Sequence, residues 1–267
     1  IYSFNASTGE EEWNYSTTSA ETFSSPLVFE NMLIYAPGFG NSDYEDYLVS
    51  LDLNGNFKWR FNTGNLIHSS PFTDGTYIYI ASNNGKLFKL DTLGNEIWNY
   101  QTDGSFRMAT PSYKDGKIFF APGDNERRVF ALNNSGSIFW VSNQLNTSGE
   151  GLIPSSIAID EENLYLVYTT TKEWIAALKQ NNGNILWQID LGEKQASNYI
   201  ASPSVLNGSI FIPTQSGYLF EISTSGVINN SFLVSTSSSP VYTTPAISNG
   251  KLYLATWSGI VKCYQAE

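Results

Sequence analysis

The sequence predicts an all-β fold: a β-propeller, most simply of six four-stranded antiparallel blades closed by strands from both termini. Three observations carry that expectation. Trp13, Trp59, Trp98, Trp140 and Trp187 recur at intervals of 46, 39, 42 and 47 residues. Each follows a glycine by four positions, at Gly9, Gly55, Gly94, Gly136 and Gly183. That spacing suits a propeller blade rather than a helical repeat. Ser25-Pro26, Ser70-Pro71, Thr110-Pro111, Ser202-Pro203 and Thr244-Pro245 keep pace with it, and Ser155-Ser156 holds the same place in the fourth copy. Each of these openings leads into strand, tight turn, strand, with Asp74-Gly75, Asp115-Gly116, Asn207-Gly208 and Asn249-Gly250 as turns. A seven- or eight-bladed array cut short is the alternative.

The elements follow in order. Ile1–Trp13 reads as a third strand, a turn at Ser7–Gly9 and a Trp strand. Unit one, Pro26 to Trp59, has its middle hairpin enlarged by the acidic insertion Pro37–Tyr47. Unit two, Pro71 to Trp98, alternates most cleanly through IYIASNNGKLFKLD. Unit three, Pro111 to Trp140, carries the insertion PGDNERR, and unit four runs from Ser156 to Trp187. Unit five departs from the pattern, because Gly226 is followed four residues later by Asn230; Phe232 is the candidate to fill the vacancy. Unit six ends with GIVKCYQAE, a third strand without a Trp strand after it. Aligning Tyr264 with Phe4 sets a circular repeat of 260 residues, about 43 per blade. The Trp13 strand then completes unit six, which removes a sheet edge. It leaves one third strand surplus, Ile1–Phe4 or Ile260–Tyr264.

Composition narrows the function. The 267 residues are read as one domain (1–267), with 41% hydrophobic and 15% aromatic residues to build a large core. A net charge of −11 argues against nucleic acid and anionic membrane surfaces as partners. No apolar run approaches the roughly 18 residues of a membrane helix. One cysteine, Cys263, rules out an internal disulfide and a Cys-based zinc site. The start at Ile1, without methionine or signal-like segment, reads as a processed or excised product. Sequons begin at Asn5, Asn14, Asn133, Asn146, Asn207 and Asn229, and with few lysines they point to an extracellular, cell-surface or periplasm-like compartment.

The Gly-X-X-X-Trp hairpins resemble the pyrroloquinoline-quinone-type propeller repeat, whose pattern is roughly Ala-X-Asp-X-X-Thr-Gly-X-X-X-Trp. That repeat is found in quinoprotein dehydrogenases and in BamB-like outer-membrane assembly lipoproteins, and the likeness covers essentially the whole chain. It implies that Trp13, Trp59, Trp98, Trp140 and Trp187 dock between adjacent blades. It implies fold more than activity, since one fold hosts many functions. The dehydrogenases are larger, eight-bladed, and hold the quinone with calcium and commonly a vicinal cysteine pair. This chain has one cysteine, and no cofactor-binding position matches.

Propellers bind ligands at the channel mouth, where loops enter the innermost strands. The third position before each Ser/Thr-Pro proline picks out Phe23, His68, Met108, Ile153, Ile200 and Tyr242. One position earlier stand Thr22, Ile67, Arg107, Leu152, Tyr199 and Val241. The set is an apolar, aromatic funnel with Arg107 and His68 as its polar pair, or else ordinary packing that plugs the channel. His68 is the sole histidine, so a multi-histidine metal site is excluded, and no Gly-X-Ser-X-Gly elbow supports a Ser–His–Asp triad. No catalytic residue is assigned. Asp43, Glu45 and Asp46 offer oxygens to calcium, but lack EF-hand order and read better as a solvated acidic loop. Asp160-Glu161-Glu162 and Asp124/Glu126 read the same way. No cofactor is required; calcium stays open and the quinone is not expected.

The function expected is a non-catalytic binding or scaffold module taking a protein or glycan through the funnel and hairpin loops, as a monomer. The alternative is a self-assembling structural subunit of an extracellular assembly, joined through the surplus terminal strand. A quinone- or calcium-dependent oxidoreductase is the third reading.

Overall fold

A computed structural model describes residues 1–16, 23–38, 46–123, 126–145, 153–193, 200–235 and 241–265. Every regular element in them is a strand. The chain divides into two compact units, Ile1–Thr110 and Pro111–Glu267.

The first unit holds a hairpin of Tyr2–Phe4 with Glu11–Asn14 and two four-stranded meanders. Sheet one comprises Leu27–Phe29, Met32–Tyr35, Tyr47–Asp52 and Phe57–Asn62; sheet two comprises Phe72–Thr73, Ile78–Ala81, Lys86–Leu90 and Glu96–Gln101. In the second unit, sheet three runs through Ser112–Lys114, Lys117–Phe120, Phe130–Asn133 and Ile138–Val141. Sheet four has a split first strand, Ile153–Pro154 and Ala158–Ile159, then Asn163–Thr169, Lys172–Lys179 and Ile185–Glu193. Sheet five is Ser204–Leu206, Ser209–Pro213, Tyr218–Ser223 and Ile228–Leu233; sheet six is Ala246–Ser248, Lys251–Ala255 and Val261–Gln265. All pairings are antiparallel.

One register repeats. Reading from second to fourth strand, Ile34–Ser50–Trp59, Tyr79–Lys89–Trp98, Phe119–Ala131–Trp140, Tyr165–Ala177–Trp187 and Phe211–Glu221–Asn230 lie opposite one another. A bulge beside this row recurs in each of these sheets: Trp59 faces Ser50 but Phe57 faces Leu51, so Lys58 is the extra residue. A bulge of this kind bends and twists the strand locally. The hairpin of Tyr2–Phe4 has it too, with Trp13 opposite Ser3.

The turns explain part of the sequence pattern. Asp115-Gly116, Asn207-Gly208 and Asn249-Gly250 have positive φ at both residues, the geometry of a type I′ hairpin. Asp74-Gly75 is different, because only the glycine has positive φ. There the Asp74 carboxylate accepts the backbone N–H groups of Thr76 and Tyr77 and the Tyr79 hydroxyl. Asp160 does the same with Glu162, Asn163 and Tyr165. These two turns are held by a side chain rather than by backbone conformation.

In the second unit the core lies between successive sheets. Leu164, Leu166 and Tyr168 on one face of sheet four pack with Phe119, Val129 and Trp140. Tyr165 and Val167 on the other face pack with Ile210, Ile212 and Ile222. Buried on both faces, the Asn163–Thr169 strand loses its polar alternation, as a strand between two layers should. Burying each such side chain contributes about 1.5–3 kcal/mol. In the first unit Ile34, Leu48, Ile78, Ile80 and Leu90 form the corresponding layer between sheets one and two.

At the N-terminal end the pairing follows the expected third strand, turn and Trp strand. Tyr2–Phe4, one of the two third-strand copies in the sequence count, is the partner of the Trp13 strand. The Ile1 ammonium also donates to the Tyr15 carbonyl at 2.8 Å. Sheet six has three strands among the described residues.

Candidate functional site

In an antiparallel meander, the segment entering the first strand and the hairpin joining the second to the third lie at the same end of the sheet. The Ser/Thr-Pro signature marks that end. The Ser70 hydroxyl accepts the Ser25 N–H at 2.8 Å, and the Thr110 hydroxyl accepts the Ser70 N–H at 2.9 Å. In the second unit Ser202 accepts from Ser156 at 3.1 Å. The signature is therefore a stitch between neighbouring sheets: the hydroxyl of one opening satisfies the backbone donor of the previous one.

Among the funnel candidates of the first unit, the structure brings Phe23 and His68 together, ring edge to face with centroids 5.0 Å apart. Arg107 and Met108 are half-buried beside the fully buried Phe106. Ile67, adjacent to His68, is buried and belongs to the core between sheets one and two. His68 Nδ1 lies 3.1 Å from Asn83 Nδ2. An amide N–H is a donor, so the contact makes Nδ1 the acceptor and puts the ring proton on Nε2. Burial lowers the His68 pKa, which keeps the ring neutral at pH 7. His68 Nε2 and Asn83 Oδ1 are both buried without a hydrogen-bond partner. An orphan donor and an orphan acceptor on one bonded pair are uncommon in a native fold.

In the second unit the candidates separate. Ile200 packs against the core between sheets four and five. Tyr242 meets Trp257 edge to face at 5.8 Å, and Trp257 is 71% exposed. Val241 is fully buried in the layer between sheets five and six. The backbone of Ile153 pairs with Thr169. Tyr199 lies outside the described residues, as do Asp43, Glu45, Asp124 and Asn146, and the Ile153 side chain is also outside them. At the same end of sheets four and five, buried Glu173 accepts the Gln215 N–H at 3.0 Å. Sequence reading missed both Asn83 and Glu173. Asn83 sits in a Gly-containing turn and reads as turn chemistry, and Glu173 lies between Lys and Trp with no sign of burial.

The repeated tryptophans share one geometry. Trp13, Trp59, Trp140 and Trp187 donate their indole N–H to Leu53, Thr92, Gln180 and Thr224 carbonyls, at 2.9, 3.0, 3.0 and 3.1 Å. Each ring lies on the turn glycine of the next sheet: Gly55, Gly94, Gly183 and Gly226. A Cβ built on Gly183 would stand 2.4 Å from Trp140. The glycine thus serves the indole of the preceding sheet as well as its own turn. Trp98 packs on Tyr79 with ring centroids 6.0 Å apart, and Lys89 opposite it lies over the Tyr77 ring at 3.9 Å.

Acidic groups are mostly engaged locally. Glu162 pairs with Lys179 at 2.7 Å, and Glu161 stands 3.6 Å from Lys114. The Asp46 carbonyl accepts the Thr63 N–H and hydroxyl. Among the described residues no three His, Cys, Asp or Glu side chains cluster to hold a metal ion. Among the described residues no helix is long and apolar enough to cross a membrane. Of the sequons, Asn5 and Asn133 spend their side-chain oxygens on turn N–H groups, and Asn14 donates to Glu11. Asn207 and Asn229 are exposed.

No curated protein matches the sequence. Among solved structures, BamB from Moraxella catarrhalis superposes with a TM-score of 0.77 at 17% identity, over 99% of this chain and 76% of that one. The computationally designed Ika8 protein gives 0.73 at 11% identity over 98% and 76%. The C-terminal WD40 domain of Sif2 gives 0.66 at 14% identity over 91% and 66%. WD40 repeats build β-propellers, and these likenesses establish the propeller fold. The family model for the outer membrane protein assembly factor BamB matches residues 44–267, which takes in every Gly-X-X-X-Trp hairpin after the first. A match over so much of the chain, on the same repeat, settles its kinship: this protein belongs to the BamB family.

Proposed function

We propose that this propeller is a non-catalytic scaffold that binds a protein partner outside the cytoplasm, through the loops entering its first strands. Membership of a family described as an assembly factor supports the binding role. The observation that carries the site is the pair His68–Asn83. Its unused Nε2–H donor and amide oxygen acceptor match what one residue of an extended backbone offers on one side, a carbonyl and an N–H. Phe23, 38% exposed, packs at a steep angle against the imidazole and in this reading gives way to the partner's backbone. Arg107 adds a cation at the rim of an otherwise acidic protein. Calcium and the quinone have no role in this reading, and glycans at Asn207 and Asn229 would lie on exposed residues. The test is affinity purification of the full chain from its own source, compared with His68→Leu and Arg107→Glu. The reading expects one defined protein partner, lost at least tenfold in both variants. A partner retained by both would remove the assignment.

A further inference from the structure

Sheet five keeps the register, the bulge and the turn glycine of the repeat, but not its plug. Where Trp140 faces Ala131 and Trp187 faces Ala177, Asn230 faces Glu221. The second-strand aromatic beside each indole is still present. Phe119 and Tyr165 lie 5.9 and 6.2 Å from Trp140 and Trp187, and Phe211 holds their position. Among the described residues a cavity of about 430 Å³ stands there, walled by Phe211, Leu219, Leu252 and Tyr264. Phe232, two residues beyond Asn230, lines the rim and is 45% exposed, so it does not fill the vacancy expected of it.

The cavity has a polar end. Glu221 accepts the Ser209 hydroxyl on one oxygen at 2.8 Å and the Asn230 amide on the other at 2.9 Å. A carboxylate has about four acceptor positions, which leaves capacity for a donor arriving in the cavity. In the neighbouring sheets the group at this place is an indole whose N–H finds an oxygen. An apolar cavity of about 150 Å³ already admits benzene, so a bicyclic ring has room.

We infer that this cavity is a docking site for a tryptophan side chain of a protein partner, its ring on Phe211 and Leu252 and its N–H donated to Glu221. The source of the indole rests on the scaffold reading; the cavity's selectivity does not. The experiment titrates the full chain with 3-methylindole, 1,3-dimethylindole and the peptide Gly-Trp-Gly, following binding by calorimetry and NMR. Saturable binding of 3-methylindole and of the peptide, with the N-methylated ring about tenfold weaker, is the expected result. Asn230→Trp should fill the cavity from within, abolish binding and raise the melting temperature. Glu221→Gln, which preserves shape, should erase most of the preference for the free N–H. It stands as the second test should Asn230→Trp fail to fold. No binding of 3-methylindole, or binding unchanged in Asn230→Trp, overturns the site. Binding of the free indole without the peptide overturns the partner's tryptophan as its source. A partner retained by both His68→Leu and Arg107→Glu would sink the scaffold reading and leave these titrations unaffected.

Discussion

Sheets four and five are neighbours built on one register, yet they are filled differently. In sheet four the fourth strand, Ile185–Glu193, is mostly half-buried, and Trp187 spans to the Gly226 turn. In sheet five every residue of Ile228–Leu233 is exposed, and a Glu–Asn pair replaces the indole. Both retain the bulge and the turn glycine. The difference separates two functions of the repeat. Register and turns come from backbone chemistry and survive the loss of the tryptophan, whereas the seal between sheets does not.

The largest test of that separation is to create in sheet three what sheet five already has. Trp140 is 9% exposed and fills the layer between sheets three and four. Trp140→Ala is expected to destabilise by about 3–5 kcal/mol, the range for emptying a large aromatic site. A urea midpoint that barely moves would show that the seal contributes little. Next in size is Gly183→Ala. The methyl would meet Trp140 at 2.4 Å from a backbone with φ 71°, and a cost of about 2–3 kcal/mol is expected. Gly208→Ala supplies the control, with a similar φ of 83° and nothing within 4 Å of the new atom. It should cost about 1 kcal/mol. Equal losses at both glycines would mean that conformation alone, not the indole, selects glycine at 183.

The same comparison shows what could be read from sequence. Trp spacing, the Ser/Thr-Pro openings and the Asn-Gly turns are local patterns, and they were enough for the sheets, their order and the family. The absence of Trp at Asn230 was visible too. Its consequence was not, because whether Phe232 folds into a gap depends on how the next sheet packs. The Asp74 turn was misread as another Asp-Gly hairpin, since the partner that decides it, Tyr79, lies five residues on in a strand. His68 could be singled out as the sole histidine, but its donor, Asn83, comes from a different loop. Glycine in the Gly-X-X-X-Trp unit was legible as a turn. That it also seats the tryptophan of the preceding repeat needs the stacking of sheets.

Sheet four differs from sheet five in titration as well. Burial pushes the Asp160 pKa up, but hydrogen bonds from Tyr165, Glu162 and Asn163 outweigh it and leave the group below the usual carboxylate value. Stability from this turn is therefore complete above about pH 4, the unfolded value, and lost as pH falls through the lower folded one. Burial and the bond to Asp160 also hold the Tyr165 hydroxyl far above its usual value. Its contribution is present below about pH 10 and lost as pH rises further. Sheet five has Asn207 in the turn and Phe211 in the strand, and neither titrates. Asp160→Asn should cost about 1 kcal/mol at pH 7, with the gap from wild type closing between pH 4 and 2. Urea denaturation across that range measures it, and a gap independent of pH would mean that the turn is held by shape alone.

The smallest effect is expected at Asn230 itself. Its amide bond to Glu221 is exposed, and a solvated hydrogen bond of this kind contributes at most about 0.5 kcal/mol net. Asn230→Ala should hence leave the denaturation midpoint nearly unchanged, in contrast to Trp140→Ala at the equivalent position. The two results together decide whether the repeat tolerates a polar residue there because sheet five has adapted to it. A large loss at Asn230 would mean that the Glu221–Asn230 pair carries the seal in place of the indole, and the cavity beside it would then be a by-product of that bond rather than a seat for a ring.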